Sequence, residues 1–246
     1  MLRALKTSLI DVIFPPRCLA CPEPTEAPHG LCPACWRDTF FIAGGACGKC
    51  GAPLMGAAGI DDVCEGCLRH PPAWDRGAAA TVYDGAARRV VLALKHGDRL
   101  DMVGPLAGWL AGAGRELIAG CDVIAPTPLH WRRLVKRRYN QSAELAKRLG
   151  RLTGKPVVVD LLTRTRATIP QEGMNRVARA ANQAGAFAVT PRRQGGVAGR
   201  AVLLIDDVLT SGATLSACAD CLRAAGAARV DVLALARVAF ADSLGL

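Results

Sequence analysis

After residue 73, the spacing of hydrophobic residues along the chain changes repeatedly. Short apolar runs, typical of buried strands, alternate with segments whose apolar residues recur every three or four positions, as they do in helices. The predicted strands lie at 78–83, 122–125, 157–159, 201–205 and 230–236, and the predicted helices at 85–95, 100–117, 140–152, 175–184 and 214–225. This alternation predicts an α/β domain with a parallel sheet covered on both faces. Ligands of such sheets bind beyond the carboxyl ends of the strands.

The first 72 residues follow a different pattern. Lys6 and Asp11 interrupt an apolar N-terminal stretch, which favours an amphipathic helix over a signal peptide. No run of eighteen apolar residues exists, so no membrane span is predicted, and without a secretion signal we expect a reducing, cytoplasmic location. The composition changes after His70-Pro71-Pro72. We therefore predict a helix at 1–14, a small cysteine-rich unit at 15–72 and the α/β domain at 73–246.

Eight of the eleven cysteines precede residue 70 and form four CxxC pairs. The pairs are Cys18/Cys21, Cys32/Cys35, Cys47/Cys50 and Cys64/Cys67. Each CxxC turn places two thiolates on one side of a tight knuckle, and two knuckles complete a tetrahedral four-sulfur zinc site. Gaps of ten and thirteen residues favour two successive ribbons, although a crossed pairing stays open.

Two structural zinc ions are therefore predicted, because all four positions of each site are filled by sulfur. Four evenly repeated pairs disfavour a redox motif, and the expected reducing compartment disfavours disulfides. An iron–sulfur site stays open as an alternative to zinc. A ligand role for His29 or His70 is a minor alternative. Gly48 and Gly51 occupy positions where a knuckle needs positive φ. Cys218 and Cys221 form a fifth CxxC inside a helical pattern, which predicts buried apolar residues rather than ligands.

Positive charge is concentrated in one segment. The chain has 31 Lys and Arg against 21 Asp and Glu, a formal charge of +10. Residues 130–200 hold 16 basic and 3 acidic residues, a balance of +13, so the remainder has 15 basic and 18 acidic residues and a balance of −3. This segment is either a solubilising face or a contact surface for an anionic ligand, namely a polyphosphate or a nucleic acid.

The strongest chemical motif is AVLLIDDVLTSGATL at 201–215. An apolar strand delivers Asp206 and Asp207 to its carboxyl end, and a loop with three hydroxyls and Gly212 then opens a helix. Free N–H groups and the positive dipole end of the helix make a phosphate cradle. The two carboxylates suit ribose hydroxyls or a magnesium ion on a pyrophosphate. The sequence contains neither a P-loop motif nor a dinucleotide-binding glycine motif, so those classes have no support.

LLIDDVLTSGATL is similar to the phosphoribosyl pyrophosphate signature of type I phosphoribosyltransferases. With four CxxC pairs ahead of it, the chain resembles the ComF family of competence-associated, phosphoribosyltransferase-like double zinc ribbon proteins. Arg138-Tyr139 stands where that family commonly has Gly-Phe. Further similar segments are FPPRCLAC, LKHGDRL at 94–100, APTPLHWRRLVKRRYNQSAELA at 125–146 and RTRATIPQEGMNRVARAANQAGAF at 164–187.

The resemblance implies a parallel sheet of the type I phosphoribosyltransferase fold, preceded by a small N-terminal double zinc ribbon. It also implies phosphoribosyl pyrophosphate with magnesium as the ligand. Asp206 and Asp207 would hold the ribose hydroxyls and share in metal binding. The residues implied at the 5-phosphate are Thr210, Ser211, Gly212, Ala213 and Thr214. Those implied at the pyrophosphate or in the hood over it are Lys95, Thr127, Pro128, Leu129, Arg132, Arg133, Arg138, Gln171 and Arg176.

Three functions follow from the resemblance and the charge pattern. The first is an enzyme that transfers phosphoribosyl to an unidentified acceptor and releases pyrophosphate. The second is a sensor that binds the same ligand without turnover. The third is a DNA-processing accessory whose ribbons and basic face contact single-stranded DNA or other competence proteins. Only Trp131, Tyr139 and Phe187 are available for base stacking near the basic segment, which disfavours strand binding.

Overall fold

The computed structural model describes residues 15–26, 28–54, 62–96, 99–129, 139–166, 176–183 and 185–238, so the predicted helix at 1–14 lies outside the described residues. The strands are β1 Gly77–Val82, β2 Val123–Pro126, β3 Leu162–Arg164, β4 Phe187–Val189, β5 Ala201–Leu209 and β6 Arg229–Arg237. The helices are α1 Pro33–Arg37, α2 Glu65–Arg69, α3 Gly85–His96, α4 Val103–Ala113, α5 Arg115–Gly120, α6 Gln141–Thr153, α7 Arg176–Gln183 and α8 Ala213–Ala224. Short 3-10 helices occupy Leu100–Met102 and Pro191–Gly196.

Four strands form a parallel sheet in the order β1-β6-β5-β2, which confirms the predicted α/β architecture. The central strands β5 and β6 are almost continuously apolar, because both of their faces are covered. Val202 of β5 pairs with Val123 on one side and with Val230 on the other. The carboxyl ends of β2 and β5 therefore lie side by side.

Successive residues of β5 enter two different cores, as the period of a strand requires. Leu203 and Ile205 pack with the apolar faces of α3, α4 and α6. Val202 and Leu204 pack on the opposite side with α8, the β3–β4 strand pair and part of the cysteine-rich region. Among the described residues, no helix has the length and apolar character needed to cross a bilayer.

Three local predictions were wrong. The segment 100–117 is not one helix: a 3-10 turn precedes α4, and Gly114 separates α4 from α5. Gly114 approaches the side chain of Leu233 so closely that a Cβ would clash with it. The run 157–159 is not a strand, because only Val157 bridges to Ile124 before the chain turns. The strand predicted at 201–205 continues to Leu209, so the acid pair lies within β5.

The antiparallel pairing of β3 with β4 was not predicted. Each of its strands has three residues, which is too few to show a period in the sequence. The short helices α1 and α2, which each include the last cysteine of a zinc ribbon, were missed for the same reason.

Candidate functional site

The eight N-terminal cysteines form two separate clusters, Cys18/Cys21/Cys32/Cys35 and Cys47/Cys50/Cys64/Cys67. Within each cluster all four Sγ atoms lie within 4.8 Å of one another. The Sγ atoms of Cys21 and Cys32 are 3.7 Å apart, as are those of Cys50 and Cys64. Two sulfurs on one tetrahedral zinc with bonds of about 2.3 Å lie about 3.8 Å apart. The clusters therefore fit two structural zinc ions, and the pairing is sequential rather than crossed.

Local backbone geometry supports the first centre. The backbone N–H groups of Ala20 and Cys32 donate to Cys18 Sγ at 3.4 and 3.2 Å. Such N–H···S bonds orient a thiolate toward a metal ion. Neither His29 nor His70 joins a cluster in the described part of the chain, so the alternative of a histidine ligand is wrong. Gly51 has the predicted positive φ of 67°, whereas the prediction for Gly48 is wrong.

The Asp206 carboxylate ties three elements together at the carboxyl edge of the sheet. Its Oδ1 accepts hydrogen bonds from the hydroxyls of Thr127 at 2.8 Å and Ser142 at 3.1 Å. The backbone N–H of Asp207 donates to the same oxygen at 3.0 Å. Burial, and next the nearby Asp207 carboxylate, raise the pKa of Asp206 to about 6. The Thr127 hydrogen bond and Lys95 oppose this shift in pKa.

Asp207 faces the end of α3. Its Oδ1 lies 3.2 Å from the Nζ of Lys95, and these side chains are only 13% and 19% exposed. A largely buried ammonium beside two carboxylates compensates part of their mutual repulsion. The structure therefore brings Lys95, Asp206, Asp207 and Thr127 into one cluster, as their assignment to one ligand site requires.

The turn after β2 is fixed by the segment that begins α6. Asn140 donates from Nδ2 to the Thr127 carbonyl at 2.9 Å, and its Oδ1 accepts from the backbone N–H of Ser142 at 3.0 Å as the helix cap. Gln141 donates to the Lys95 carbonyl at 3.3 Å, and the Tyr139 hydroxyl donates to the Leu94 carbonyl at 2.7 Å. This segment thus joins the end of α3 to the turn. The tyrosine that departs from the family pattern is one of its anchors.

Residues 210–212 connect β5 directly to α8, and we call residues 210–214 the phosphate loop. Gly212 has a φ of +76°, and a Cβ there would lie 2.5 Å from Cη2 of Trp74. Arg237 Nη1 donates to the carbonyls of Leu209 and Thr210 at 3.0 and 2.7 Å. These carbonyls are therefore bonded inside the protein, while the positive end of α8 begins at the loop.

The remaining predicted site residues are placed only in part. Pro128 and Leu129 follow Thr127 along the turn, where Leu129 is half-buried. Arg176 begins α7. Arg132, Arg133, Arg138 and Gln171 lie outside the described residues.

Sequence reasoning missed Ser142, Trp74 and Arg237. Ser142 had a local signal, because Asn-Gln-Ser before an amphipathic segment is typical of a helix N-terminus. Trp74 and Arg237 had none, since each meets the phosphate loop only through the tertiary fold. Cys218, predicted as a buried apolar residue, is fully buried in α8, whereas Cys221, for which the same was predicted, is only partly buried.

Two family models match the chain in the order that the fold shows. The double zinc ribbon domain matches residues 9–68, and the phosphoribosyl transferase domain matches residues 141–239. DNA utilization protein YhgH of Escherichia coli is 32% identical over 232 residues, covering 91% of this chain and 97% of that protein. The chain belongs to the ComF family. Competence protein F of Haemophilus influenzae is 29% identical over 227 residues, covering 90% of this chain and 96% of its own length.

Two of the solved structures that match this ComF-family protein do so at low identity. Phosphoribosylpyrophosphate synthetase from Mycobacterium smegmatis matches with 17% identity and a TM-score of 0.32, covering 54% of this chain and 33% of the other. A hypoxanthine phosphoribosyltransferase from Staphylococcus aureus matches with 13% identity and a TM-score of 0.33, covering 56% of this chain and 64% of the other.

Proposed function

We propose that this ComF-family protein binds phosphoribosyl pyrophosphate with Mg²⁺ and transfers the phosphoribosyl group to an acceptor nucleophile. The observation that carries the proposal is the meeting of the Asp206–Asp207 pair, Lys95, Thr127 and the phosphate loop at the carboxyl edge of one parallel sheet. The match to the phosphoribosyl transferase domain supports it.

The 5-phosphate is assigned to the phosphate loop, Thr210, Ser211, Gly212, Ala213 and Thr214. Among the described residues the buried Ser211 Oγ has no hydrogen-bond partner. A phosphate oxygen could accept from this hydroxyl after rotation of the side chain. The N-terminus of α8 adds a favourable potential for the anion.

The ribose is assigned to Asp206 and Asp207, and the two carboxylates have different roles. Asp206 Oδ1 already accepts three hydrogen bonds, so its Oδ2 is the oxygen assigned to the ribose. Asp207 is held by Lys95, whose ammonium can exchange that partner for a phosphate oxygen. Carboxylate oxygens also suit Mg²⁺, which would neutralise charge on the departing pyrophosphate.

The pyrophosphate is assigned to the turn after β2 and to the basic residues around it. The turn residues are Thr127, Pro128 and Leu129, with Lys95 beside them, and the hood residues expected over them are Arg132, Arg133, Arg138, Gln171 and Arg176. This assignment gives the basic segment 130–200 an anionic ligand to cover.

In the proposed reaction the acceptor forms a bond to the anomeric carbon. The bond from that carbon to the pyrophosphate oxygen breaks, and its electron pair leaves with the pyrophosphate. The transition state is cation-like at the ribose, so the carboxylates of Asp206 and Asp207 would stabilise it. A hood closed over the ligand would exclude water, which otherwise competes with the acceptor.

The names of the relatives suggest where this chemistry is used. One relative is a competence protein and others are DNA utilization proteins. We therefore place this protein in the uptake or use of DNA, with partners among competence proteins. The exposed Trp36 and Phe40, near the basic Arg37 on the first ribbon, favour an accessory contact with single-stranded DNA as the second candidate function.

Calorimetric titration with phosphoribosyl pyrophosphate and Mg²⁺ tests the proposal. We expect saturable binding to the full-length, zinc-loaded chain and no binding to the Asp206→Asn/Asp207→Asn variant. Asp160→Asn is the matched control, since Asp160 pairs with Arg192 and Arg193 away from the acid pair. Wild-type protein that gives no heat of binding would refute the proposal.

A second measurement separates enzyme from sensor. Bound protein is incubated with candidate acceptors, and released pyrophosphate is measured. Release that depends on an acceptor and is lost in the double variant supports transfer. Binding without release for any acceptor class assigns the sensor function.

A further inference from the structure

We propose that Trp74 is a positioning residue that couples the second zinc centre, Cys47/Cys50/Cys64/Cys67, to the phosphate loop. The expected effect of Trp74 on phosphoribosyl pyrophosphate affinity rests on the proposed function. Its expected effect on the conformation of the loop does not, because that effect is measured in the absence of any ligand.

The first link joins Trp74 to the zinc knuckle. Its indole Nε1 donates to the carbonyl of Lys49 at 2.5 Å. Lys49 lies inside the Cys47–Cys50 turn, so the carbonyl belongs to the part of the chain that the metal folds. Cys47 and Cys50 are 1% and 2% exposed, which leaves little room for this knuckle to rearrange while zinc is bound.

The second link joins Trp74 to the phosphate loop. A Cβ at Gly212 would lie 2.5 Å from Cη2 and 3.2 Å from Cζ3 of the indole. The ring therefore lies directly against the loop backbone at its residue of positive φ. Trp74 is 3% exposed and belongs to the same core as Leu209, Leu215 and Cys50, so little of its ring reaches solvent.

The knuckle is itself seated on the sheet. The backbone N–H of Gly77 donates to the Gly48 carbonyl at 2.9 Å, and Lys49 Nζ donates to the Asp75 carbonyl at 2.7 Å. Asp75 pairs with Arg223 of α8 at 2.7 Å. Zinc at the second centre therefore fixes both the support under Trp74 and the ring's position against the loop.

A cavity of about 460 Å³ lies beside this contact. The second ribbon contributes Cys67 and the loop contributes Ser211, with Trp74 and Arg237 also lining it. If zinc were lost, the ring and the loop could shift toward this cavity. A well-packed neighbour would resist such a shift, whereas a cavity does not.

The test uses full-length protein and the substitution Trp74→Phe, which keeps an aromatic ring and removes the indole N–H. We expect unchanged zinc content and faster backbone hydrogen exchange in residues 210–214 of the ligand-free protein. We expect phosphoribosyl pyrophosphate to bind roughly fivefold more weakly, the effect of about one neutral hydrogen bond. Trp109→Phe, on α4 against Phe41, is the matched control and should change neither quantity.

A second pair of variants tests the metal directly. Cys67→Ser should accelerate exchange in residues 210–214, and Cys21→Ser in the first ribbon should not. If Trp74→Phe leaves both loop exchange and affinity at wild-type values, the inference is overturned. If wild-type protein does not bind phosphoribosyl pyrophosphate but loop exchange responds as expected, the proposed function fails and the coupling stands.

Discussion

The two ribbons use the same four-sulfur chemistry against different surroundings. In the first, Cys18, Cys32 and Cys35 form a small cluster whose other fully buried member is Ala86 at the start of α3. In the second, Cys47 and Cys50 belong to the large core that contains Leu204 of β5 and Leu215 of α8, with Val232 of β6. The cysteines of the first ribbon therefore form a separate small cluster, and Leu19 is the ribbon's buried residue in the core formed with α3, α4 and α6. The cysteines of the second ribbon are themselves part of a domain core.

The difference extends to the candidate site. The first ribbon is attached to α3, whose other end holds Lys95 beside Asp207. The second ribbon reaches the phosphate loop through Trp74. We infer that the contacts around a zinc motif decide what its metal controls, and that the motif alone does not.

Removing one zinc ligand from each ribbon in turn should give the largest difference between the two ribbons. Cys67→Ser should remove one zinc and lower the melting temperature by more than roughly 10 °C, because 1 kcal/mol shifts it by about 2–4 °C in a chain of this size. A structural zinc contributes roughly 10–16 kcal/mol in small zinc peptides, so even part of that value suffices.

Cys21→Ser should also remove one zinc, while the main transition shifts by less than roughly 5 °C. Zinc content by mass spectrometry and circular dichroism melting measure both variants. Equal shifts for the two variants would contradict the contrast between the ribbons.

Gly212→Ala tests the contact with Trp74, through which the second ribbon reaches the phosphate loop. A left-handed residue other than glycine costs about 1–2 kcal/mol. Displacing the Trp74 ring adds about 1–3 kcal/mol of overpacking. Gly154→Ala is the control, since Gly154 has a similar φ of +71° and a Cβ added there would meet no atom within 4 Å. The free energy of unfolding, measured with denaturant, should fall more for Gly212→Ala than for Gly154→Ala. Equal decreases would show that contact with the Trp74 ring adds nothing to the cost.

The stability contributed by the acid pair should respond to pH rather than to zinc. The folded pKa of Asp206 is raised to about 6 from 3.8, so the folded state binds more protons between these values. The free energy of unfolding that this group contributes therefore falls as pH rises from about 4 to 6 and is level above that.

Asp206→Asn keeps an acceptor for Thr127 and Ser142 and removes the charge. We expect its stability relative to wild type to increase between about pH 4 and pH 7, by up to about 3 kcal/mol. Denaturant unfolding with zinc content checked at each pH measures this difference. A gap that does not vary with pH would show that the pKa is not raised.

The smallest effect is expected at the edge of the first ribbon. Arg89 bonds Asp38 at 2.8 Å and lies 3.6 Å from Cys35 Sγ, but both charged side chains are about half exposed. Solvent screens such a pair, so Arg89→Gln should lower stability by less than about 1 kcal/mol and leave zinc content unchanged. Release of the first zinc would show that this arginine is essential to the centre.

Features that are local in sequence were the ones that could be predicted. Four CxxC pairs indicate two zinc sites because their ligands lie three residues apart, and Asp206-Asp207 before a glycine-containing loop indicates an anion site. The contact of Thr127 with Asp206 spans 79 residues and required the β2–β5 pairing as well as the motifs. The resemblance to the family predicted the turn at Thr127 as part of the site, and the pairing of β2 with β5 explains why this turn lies beside Asp206.

The failures have physical causes that no local pattern reveals. Val157-Val158-Val159 has the composition of a strand, yet it leaves the sheet after one bridge. Arg237 looks like an ordinary strand end, but the fold directs its guanidinium to the carbonyls of Leu209 and Thr210. Trp74 lies in a segment rich in turns, and its partners are a knuckle carbonyl and a distant glycine.

The location of Trp74 gives the protein an intrinsic optical reporter. Trp36 is 58% exposed on the first ribbon, and Trp109 lies on α4 against Phe41. With phenylalanine at 36, 109 and 131, Trp74 would be the sole tryptophan and the main source of fluorescence, placed between the second zinc centre and the phosphate loop. Its emission wavelength and anisotropy would then follow metal loading and ligand arrival in real time, without a chemical label.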